Sequence, residues 1–535
     1  MTEKEIVSEL HIRASHWFED NGLEVEAFQH AASSGDLDLA ERLVNGRGMP
    51  LYLQGATSPL LRWLESLPQS TLDSRPSLWV TFGAATMISG HPSQAESKLH
   101  NAEVLLPKNT DDKKNRDLIG QIAAFRTLIA ASKNDIKTIM AESKRALDLL
   151  DPQNQAIRII TQFSLGVAFE LQNDRGAAIR IFQDVFTSTF ASGNRMLCLA
   201  SLSSLAGLLI MENRLREAAD LYNRFKEIVN DPEDWLMYDP LYGLARIAYE
   251  RNDLDTALRH ADACIRLAPQ IECGTVVSAS IIRARIYMAG GNYQNAAAAL
   301  SEAEEFAHTR SLTERTSEVE TARVDFLISQ GNLHAAAGIL ENYDLPMEKA
   351  RLLISQGQPD AARVILQNLR TQWRSEDRPT DLLRCNVRLA VACYACGDVD
   401  TALNLLEESQ QMTEADGFIR LYVDEGVLME QLLSIGENQG KYSAYSTRLL
   451  EAIRLEKNKN THIQSSSPDT MIEILTSREL DVLRLISQGL SNQEIAAKLF
   501  LALSTVKGHS RVIYDKLQVQ RRTEAVAKAR EIGII

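Results

Sequence analysis

One spelling recurs along most of this chain and constrains its fold more than any other feature: a glycine or asparagine, then an alanine five residues on, opening an amphipathic stretch. It occurs at Gly90/Ala95, Asn173/Ala178, Asn213/Ala218, Asn252/Ala257, Gly291/Ala296, Gly331/Ala336, Gly357/Ala362 and Gly397/Ala402. From Ala178 to Ala336 successive alanines stand 40, 39, 39 and 40 residues apart. The span from Ala95 to Ala178 holds two such periods, with a degenerate copy near Asn134, and the short step from Ala336 to Ala362 implies one trimmed unit. Glycine and asparagine tolerate the positive φ of a tight turn, and a small residue early in the second helix lets two helices approach closely. Stretches such as Leu205–Leu209 and Ala218–Tyr222 place apolar residues at helical spacing, and no alternating β-branched run competes. The expectation is an all-α array of stacked helical hairpins, whose concave face is a groove for a ligand or a partner.

Composition removes several function classes. Apolar content of 45% and charged content of 24% are those of ordinary folded protein. No apolar stretch approaches the ~20 residues of a membrane helix, and Met1–Leu10 lacks a signal-peptide core, so a cytoplasmic protein is expected. The six cysteines, at 198, 264, 273, 385, 393 and 396, form no disulfide framework. Cys393 and Cys396, with Cys385, have no second pair nearby and read as packing rather than metal ligands. His11, His16 and His30 read as surface or satisfied side chains. The Ser465–Pro468 run has no base placed beside a nucleophile. No catalytic constellation, cofactor or metal site is expected, and the chain is not read as an enzyme.

The last sixty-odd residues are spelled differently. A polar connector, 457–470, is expected to be a flexible tether. Thr476 with Glu479 forms a capping box for a first helix that Gly489 ends, and Ser491 with Glu494 forms a second, for a helix through Phe500. Leu501–Leu503 turns the chain, a third helix runs over 504–517, and a fourth over 523–532. Leu480, Leu483, Ile486, Ile495, Leu499, Val506, Ile513, Leu517 and Val526 supply a small core. This is a four-helix helix-turn-helix domain, and its ligand is double-stranded DNA. The net charge of −14 belongs elsewhere, because between Ala496 and Arg530 lie Lys498, Lys507, Arg511, Lys516, Arg521, Arg522, Lys528 and Arg530 against only Asp515 and Glu524. With Val506, Ile513 and Leu517 inward, Ser504, Lys507, Gly508 and Arg511 face outward. Lys507 and Arg511, four apart, can reach guanine edges or flanking phosphates, and Gly508 lets the helix lie close to the bases. Thr505 and Lys498 are placed for phosphates, and Arg521 and Arg522 are further candidate DNA contacts.

These features are co-linear with a known family. The repeats resemble tetratricopeptide-type repeats, slightly longer than the usual ~34 residues. His11–Gly22, Glu26–His30 and Gly35-Asp36 at one end, and Ala402–Leu406 and Gly417–Gly426 at the other, resemble segments of the large MalT-like regulators of the LuxR superfamily. The tail from Leu475 to Ile534 resembles the LuxR/GerE-type domain, matching its recognition helix at Thr505, Val506, Lys507 and His509 and departing at Ala502 and Val512. The resemblance implies a transcription regulator, an activator rather than a repressor, that contacts RNA polymerase and works as a homodimer or oligomer on DNA. It makes Ala525 and Ala529, on the fourth helix, candidate dimer contacts. A small-molecule or protein signal would occupy the repeat groove. The family's P-loop ATPase is expected to be absent from this polypeptide, since Gly436–Tyr442, around Gly440-Lys441, has the wrong spacing and no hydroxyl after the lysine. The organisation expected is a helical segment over 1–75, repeats over 76–456, the tether, and the head over 471–535. A scaffold or split-regulator subunit with a vestigial head is the competing reading.

Overall fold

The structure, a computed structural model, describes residues 3–46, 49–107, 112–192, 194–267, 274–438, 443–465, 477–499, 503–517, 519 and 521–531. Among these residues the chain is helical, with no strand. Nine hairpins follow one another from Pro76–Ile88 paired with Pro92–Leu105 to Pro379–Ala395 paired with Val399–Thr413. Every expected turn residue is left-handed, with φ of 53° at Asn134, 60° at Asn173, 61° at Asn213 and 62° at Asn252, and 69° to 85° at the five glycines. All eight alanines five residues on are fully buried, and in the degenerate copy Ile139 takes that place, also fully buried.

Turn chemistry explains why the second helix of each hairpin starts where it does. The residue after the left-handed one caps it: Asp135, Asp174, Asp253, Asn292, Asn332 and Asp398 each accept a hydrogen bond from the backbone N–H three residues on. Each such cap stabilises the helix by about 1 kcal/mol. At His91 and Gln358, which make no such cap bond, a proline stands at the first helical position instead, where no N–H is needed, and only Arg214, ahead of Leu215, has neither device. The trimmed unit is the hairpin Thr316–Ser329 with Leu333–Leu340, whose second helix is only 8 residues long because the next helix already opens at Pro346.

Three features depart from the sequence reading. The helical entry segment shares its core with the repeats: its apolar side chains, from Ala27 to Leu72, join those of the first repeats as far as Ile160. Helix Ala444–Ser465 continues through the first half of the expected tether. Its Lys457 pairs with Glu430 at 3.0 Å on the neighbouring helix, which favours helix over coil there, and 466–470 lie outside the described residues. The third departure concerns the groove, which the chain itself bridges. Thr380 donates to the Met211 carbonyl at 2.7 Å and to Asn213 Oδ1 at 3.0 Å, Asn173 Nδ2 donates to the Glu376 carbonyl at 3.3 Å, and the Ile419 N–H donates to the Glu250 carbonyl at 2.7 Å. The late repeats thus rest on the turns of three consecutive earlier ones.

Candidate nucleic-acid interface

The head is built on helices Ser477–Ser487, Asn492–Leu499, Leu503–Lys516 and Arg522–Glu531. Gly489, at φ 87°, ends the first: its N–H bonds the Ile486 carbonyl and that of Leu490 bonds Leu485, the paired bonds of a Schellman motif. The second opens on a reciprocal capping box, with the Ser491 N–H on Glu494 Oε2 at 2.7 Å and the Glu494 N–H on Ser491 Oγ at 3.3 Å. The Ser491 backbone bond holds the Glu494 carboxyl below the usual carboxylate range. Thr476, the other expected cap, lies outside the described residues. Leu483, Ile486, Ile495, Val506, Ile513 and Leu517 form the core with Val482, Leu485 and Ala496, while Leu480, Leu499 and Val526 pack half-buried around it.

That core turns one face of the third helix outward. Lys507, Gly508 and Arg511 are exposed, and neither cation has a hydrogen bond or ion pair with any described residue. A Cβ at Gly508 would meet nothing within 4 Å, so that stretch of the face is open. Ser504 and Thr505 begin the same helix, but their side chains are outside the described residues, as is Ala502. Lys498, at the end of the second helix, is exposed and uncommitted. Arg521 is also exposed, 3.8 Å from Glu524. The partly exposed His509 and Val512, the latter 39% exposed, flank the cationic face.

Three expectations change. Arg522 is not a free cation: its guanidinium donates to the Leu490 and Ile486 carbonyls and to Asn492, tying the fourth helix to the ends of the first two. Lys516 is buried and paired with Glu479 at 2.9 Å, so it belongs to the core rather than to the basic footprint. Ala525 and Ala529 are fully buried within the head, because at four-residue spacing they share the helix face that packs inward. They are therefore not surface contacts, and the outward face of that helix carries Thr523, Glu524, Ala527 and Arg530.

The body holds a charged centre that the sequence reading missed. Around a cavity of about 500 Å³, Arg351 pairs with Asp325 at 2.5 Å and Arg388 with Glu425 at 2.9 Å. Arg420, 2% exposed, meets Asp424, Asn252 and Glu456, and its guanidinium lies 5.4 Å from the Tyr249 ring centroid. Glu456 sits on Ala444–Ser465, the last helix before the head. Asp325 is held below its usual carboxylate range despite burial, by Arg351, Arg285 and Arg388. Sequence could have flagged part of this centre by register: Arg285, Asp325 and Arg351 each stand eleven residues ahead of their hairpin's buried alanine.

The discounted residues are also placed. His11 Nδ1 and His30 Nδ1 are 2.8 Å apart, and the His30 ring stacks on Phe18 at 5.1 Å. His16 lies 3.9 Å from Glu19. Cys385 is buried, donates to the Leu366 carbonyl at 3.2 Å, and has its thiol pushed up to about 12 by burial. Cys273 and Gly440-Lys441 fall outside the described residues. Among the described residues no helix is long and apolar enough to cross a membrane.

Stacked helical hairpins followed by a four-helix head with an open cationic third helix define a repeat protein of the helix-turn-helix class. The MalT-like TPR region matches residues 120–439, and the bacterial regulatory proteins of the luxR family match 473–529. The chain belongs to the MalT-like TPR family. The HTH-type transcriptional regulator MalT of Vibrio campbellii is 22% identical over 549 residues, covering 95% of this chain and 60% of that protein. The regulator of the same name in Cronobacter sakazakii is 25% identical over 568 residues, covering 98% and 61%. The chain thus spans about three fifths of the length of these relatives. Among solved structures, the apo form of the quorum sensor NprR from B. thuringiensis superposes loosely, at 11% identity and a TM-score of 0.39 over 74% of this chain and 99% of that one.

Proposed function

We propose that this protein is a DNA-binding transcription regulator in which the helical-repeat body receives a signal and the C-terminal head binds duplex DNA. The observation that carries the reading is the third helix of the head, where Lys507 and Arg511 stand exposed, one turn apart and uncommitted, on a face backed by a complete core. Lys507 and Arg511 reach base edges in the major groove, with Gly508 allowing close approach and Ser504 beside them. Thr505, Lys498 and Arg521 contact phosphates and set the register. Arg522 acts from within, holding the fourth helix in place. Two heads act together on paired half-sites about one helical turn apart. The outward face of the fourth helix, not Ala525 and Ala529, is where they meet. Output is linked to the body through Arg420, which joins the repeat turn at Asn252 to Glu456 on the last body helix.

The test is selection of bound sequences from random duplex DNA by the full chain. Enrichment of a paired motif supports the reading, and no enrichment at modest ionic strength sinks it in favour of a scaffold. Lys507→Ala with Arg511→Ala removes two base contacts worth about 1–3 kcal/mol each, so affinity for the selected site falls by roughly 30-fold or more. Since neither side chain supports the fold, the thermal transition stays where it was. Unchanged affinity of the double variant refutes the roles given to these residues.

A further inference from the structure

A second cavity, of about 410 Å³, opens between the first helices of three consecutive hairpins, Tyr238–Glu250, Thr275–Ala289 and Thr316–Ser329, and the later helix Pro379–Ala395 that bridges to them. Its carboxylates are all committed. Glu250 is bound by Arg384 at 2.6 Å. Glu318 accepts from the Ser278 hydroxyl at 2.8 Å and from Arg315 at 2.5 Å. Asp381 is held by Arg378 at 2.7 Å.

The cations are not balanced in the same way. Arg246 lines the cavity with no hydrogen bond or ion pair to any described residue. Arg285 makes no hydrogen bond to a described residue either, and its nearest carboxylate is Asp325 at 3.9 Å, which Arg351 already occupies at 2.5 Å. The two arginines hold the same register in adjacent repeats, eleven residues ahead of Ala257 and Ala296, so they leave equivalent points of successive helices toward one space. Beside them the hydroxyls of Tyr242 and Thr321 also lack partners among the described residues. Each half-buried guanidinium loses hydration that no hydrogen bond to a described residue replaces, a cost that an anion between them offsets.

We propose that this cavity binds a small, doubly charged oxyanion, a phosphate monoester or a dicarboxylate. Arg246 and Arg285 fork its oxygens, while the Tyr242 and Thr321 hydroxyls donate to the remaining lone pairs. Guanidinium geometry matches both groups bidentately, and the volume suits a metabolite rather than a folded partner. This deepens the reading of the body as the signal-receiving part and gives that signal a chemical class. The bridging helix contributes Arg384 and Thr380 to the same walls, so occupancy bears on the contact between early and late repeats.

The experiment is calorimetric titration and thermal melting of the full chain with inorganic phosphate, a hexose phosphate, a four-carbon dicarboxylate and the uncharged hexose, at constant ionic strength. Saturable binding of phosphate or hexose phosphate identifies the phosphate source, and saturable binding of the dicarboxylate alone identifies the other. The hexose should not bind. Arg246→Gln with Arg285→Gln should weaken the best ligand at least 30-fold, and Arg246→Gln alone, which breaks no hydrogen bond or ion pair to a described residue, should also weaken it yet melt no lower than the parent without ligand. Arg246→Lys, which keeps the charge and loses the fork, should weaken it about tenfold. Binding by none of the anions, equal binding by the double variant, or equal binding of the hexose overturns the proposal. Motif selection by the head is read separately, so its survival when anion binding fails removes this inference alone.

Discussion

The repeat body and the head treat their cations in opposite ways. In the body, arginines are tied within and between hairpins to acidic neighbours: Arg126 to Glu96 and Glu103, Arg283 to Asp262 and Glu302, Arg323 to Glu304 and Glu320. In the head, the cations that serve the fold are tied in, Lys516 by Glu479 and Arg522 by carbonyls, whereas Lys498, Lys507 and Arg511 have no partner among the described residues. Surface pairs contribute only about 0–1 kcal/mol each, so pairing in the body chiefly cancels positive potential. Leaving cations unpaired on one helix concentrates that potential where phosphates are to be met. A cation that folding does not use is therefore the informative one, and Arg246, which lines a cavity with no hydrogen bond or ion pair to a described residue, meets the same criterion in the body.

The widest separation between committed and uncommitted charge is expected at Glu479. Glu479→Ala strips the buried Lys516 ammonium of its carboxylate, and breaking a buried pair from one side costs about 3–5 kcal/mol. The head of the full chain should melt at lower temperature, and DNA affinity should fall with it, recovering on cooling. The paired exposed cations, Lys507 and Arg511, should show the reverse pattern: affinity lost, transition unmoved. If Glu479→Ala leaves the melt untouched, the division between the two kinds of cation fails.

Most of the architecture could be read from the sequence because it rests on local rules. A left-handed residue, a cap and a buried small side chain follow one another within six positions, as at Asn173 and Gly291. Gly489 and the Ser491/Glu494 pair were legible in the head for the same reason. What escaped notice depends on partners outside the local spelling, from 26 residues away for Arg351 with Asp325 to 203 for Asn173 with Glu376. Glycine and asparagine look interchangeable at a turn, yet the three consecutive turns on which the late repeats rest are all asparagine, and each side chain is used: Asn173 donates to the Glu376 carbonyl, Asn213 accepts from Thr380 and Asn252 accepts from Arg420. Asn134 has the same φ class, but its exposed side chain bonds nothing described. Ala525 and Ala529 were misread because small residues suit a dimer seam and a tight core equally, and only packing separates the two. The same ambiguity yields a measurement. Glycine keeps the turn at either site, so Asn213→Gly should cost about 0.5–1.5 kcal/mol more than Asn134→Gly in thermal or denaturant unfolding, the value of one hydrogen bond. Equal costs would detach asparagine at these turns from the bridging.

The smallest effect sharpens the comparison within the head. Lys498 is exposed at the end of the second helix, off the face that carries Lys507 and Arg511, so it is suited to a phosphate and not to a base. A phosphate contact releases counterion without reading sequence. Lys498→Ala should therefore weaken selected and random duplexes alike and lower the slope of log affinity against log salt by about 1. The thermal transition should not move, because nothing described depends on that ammonium. A changed motif preference would place Lys498 at a base edge instead. An unchanged slope would mean that an exposed, uncommitted cation is not sufficient to mark a DNA contact even in this domain, and the weight would then rest on the recognition helix alone.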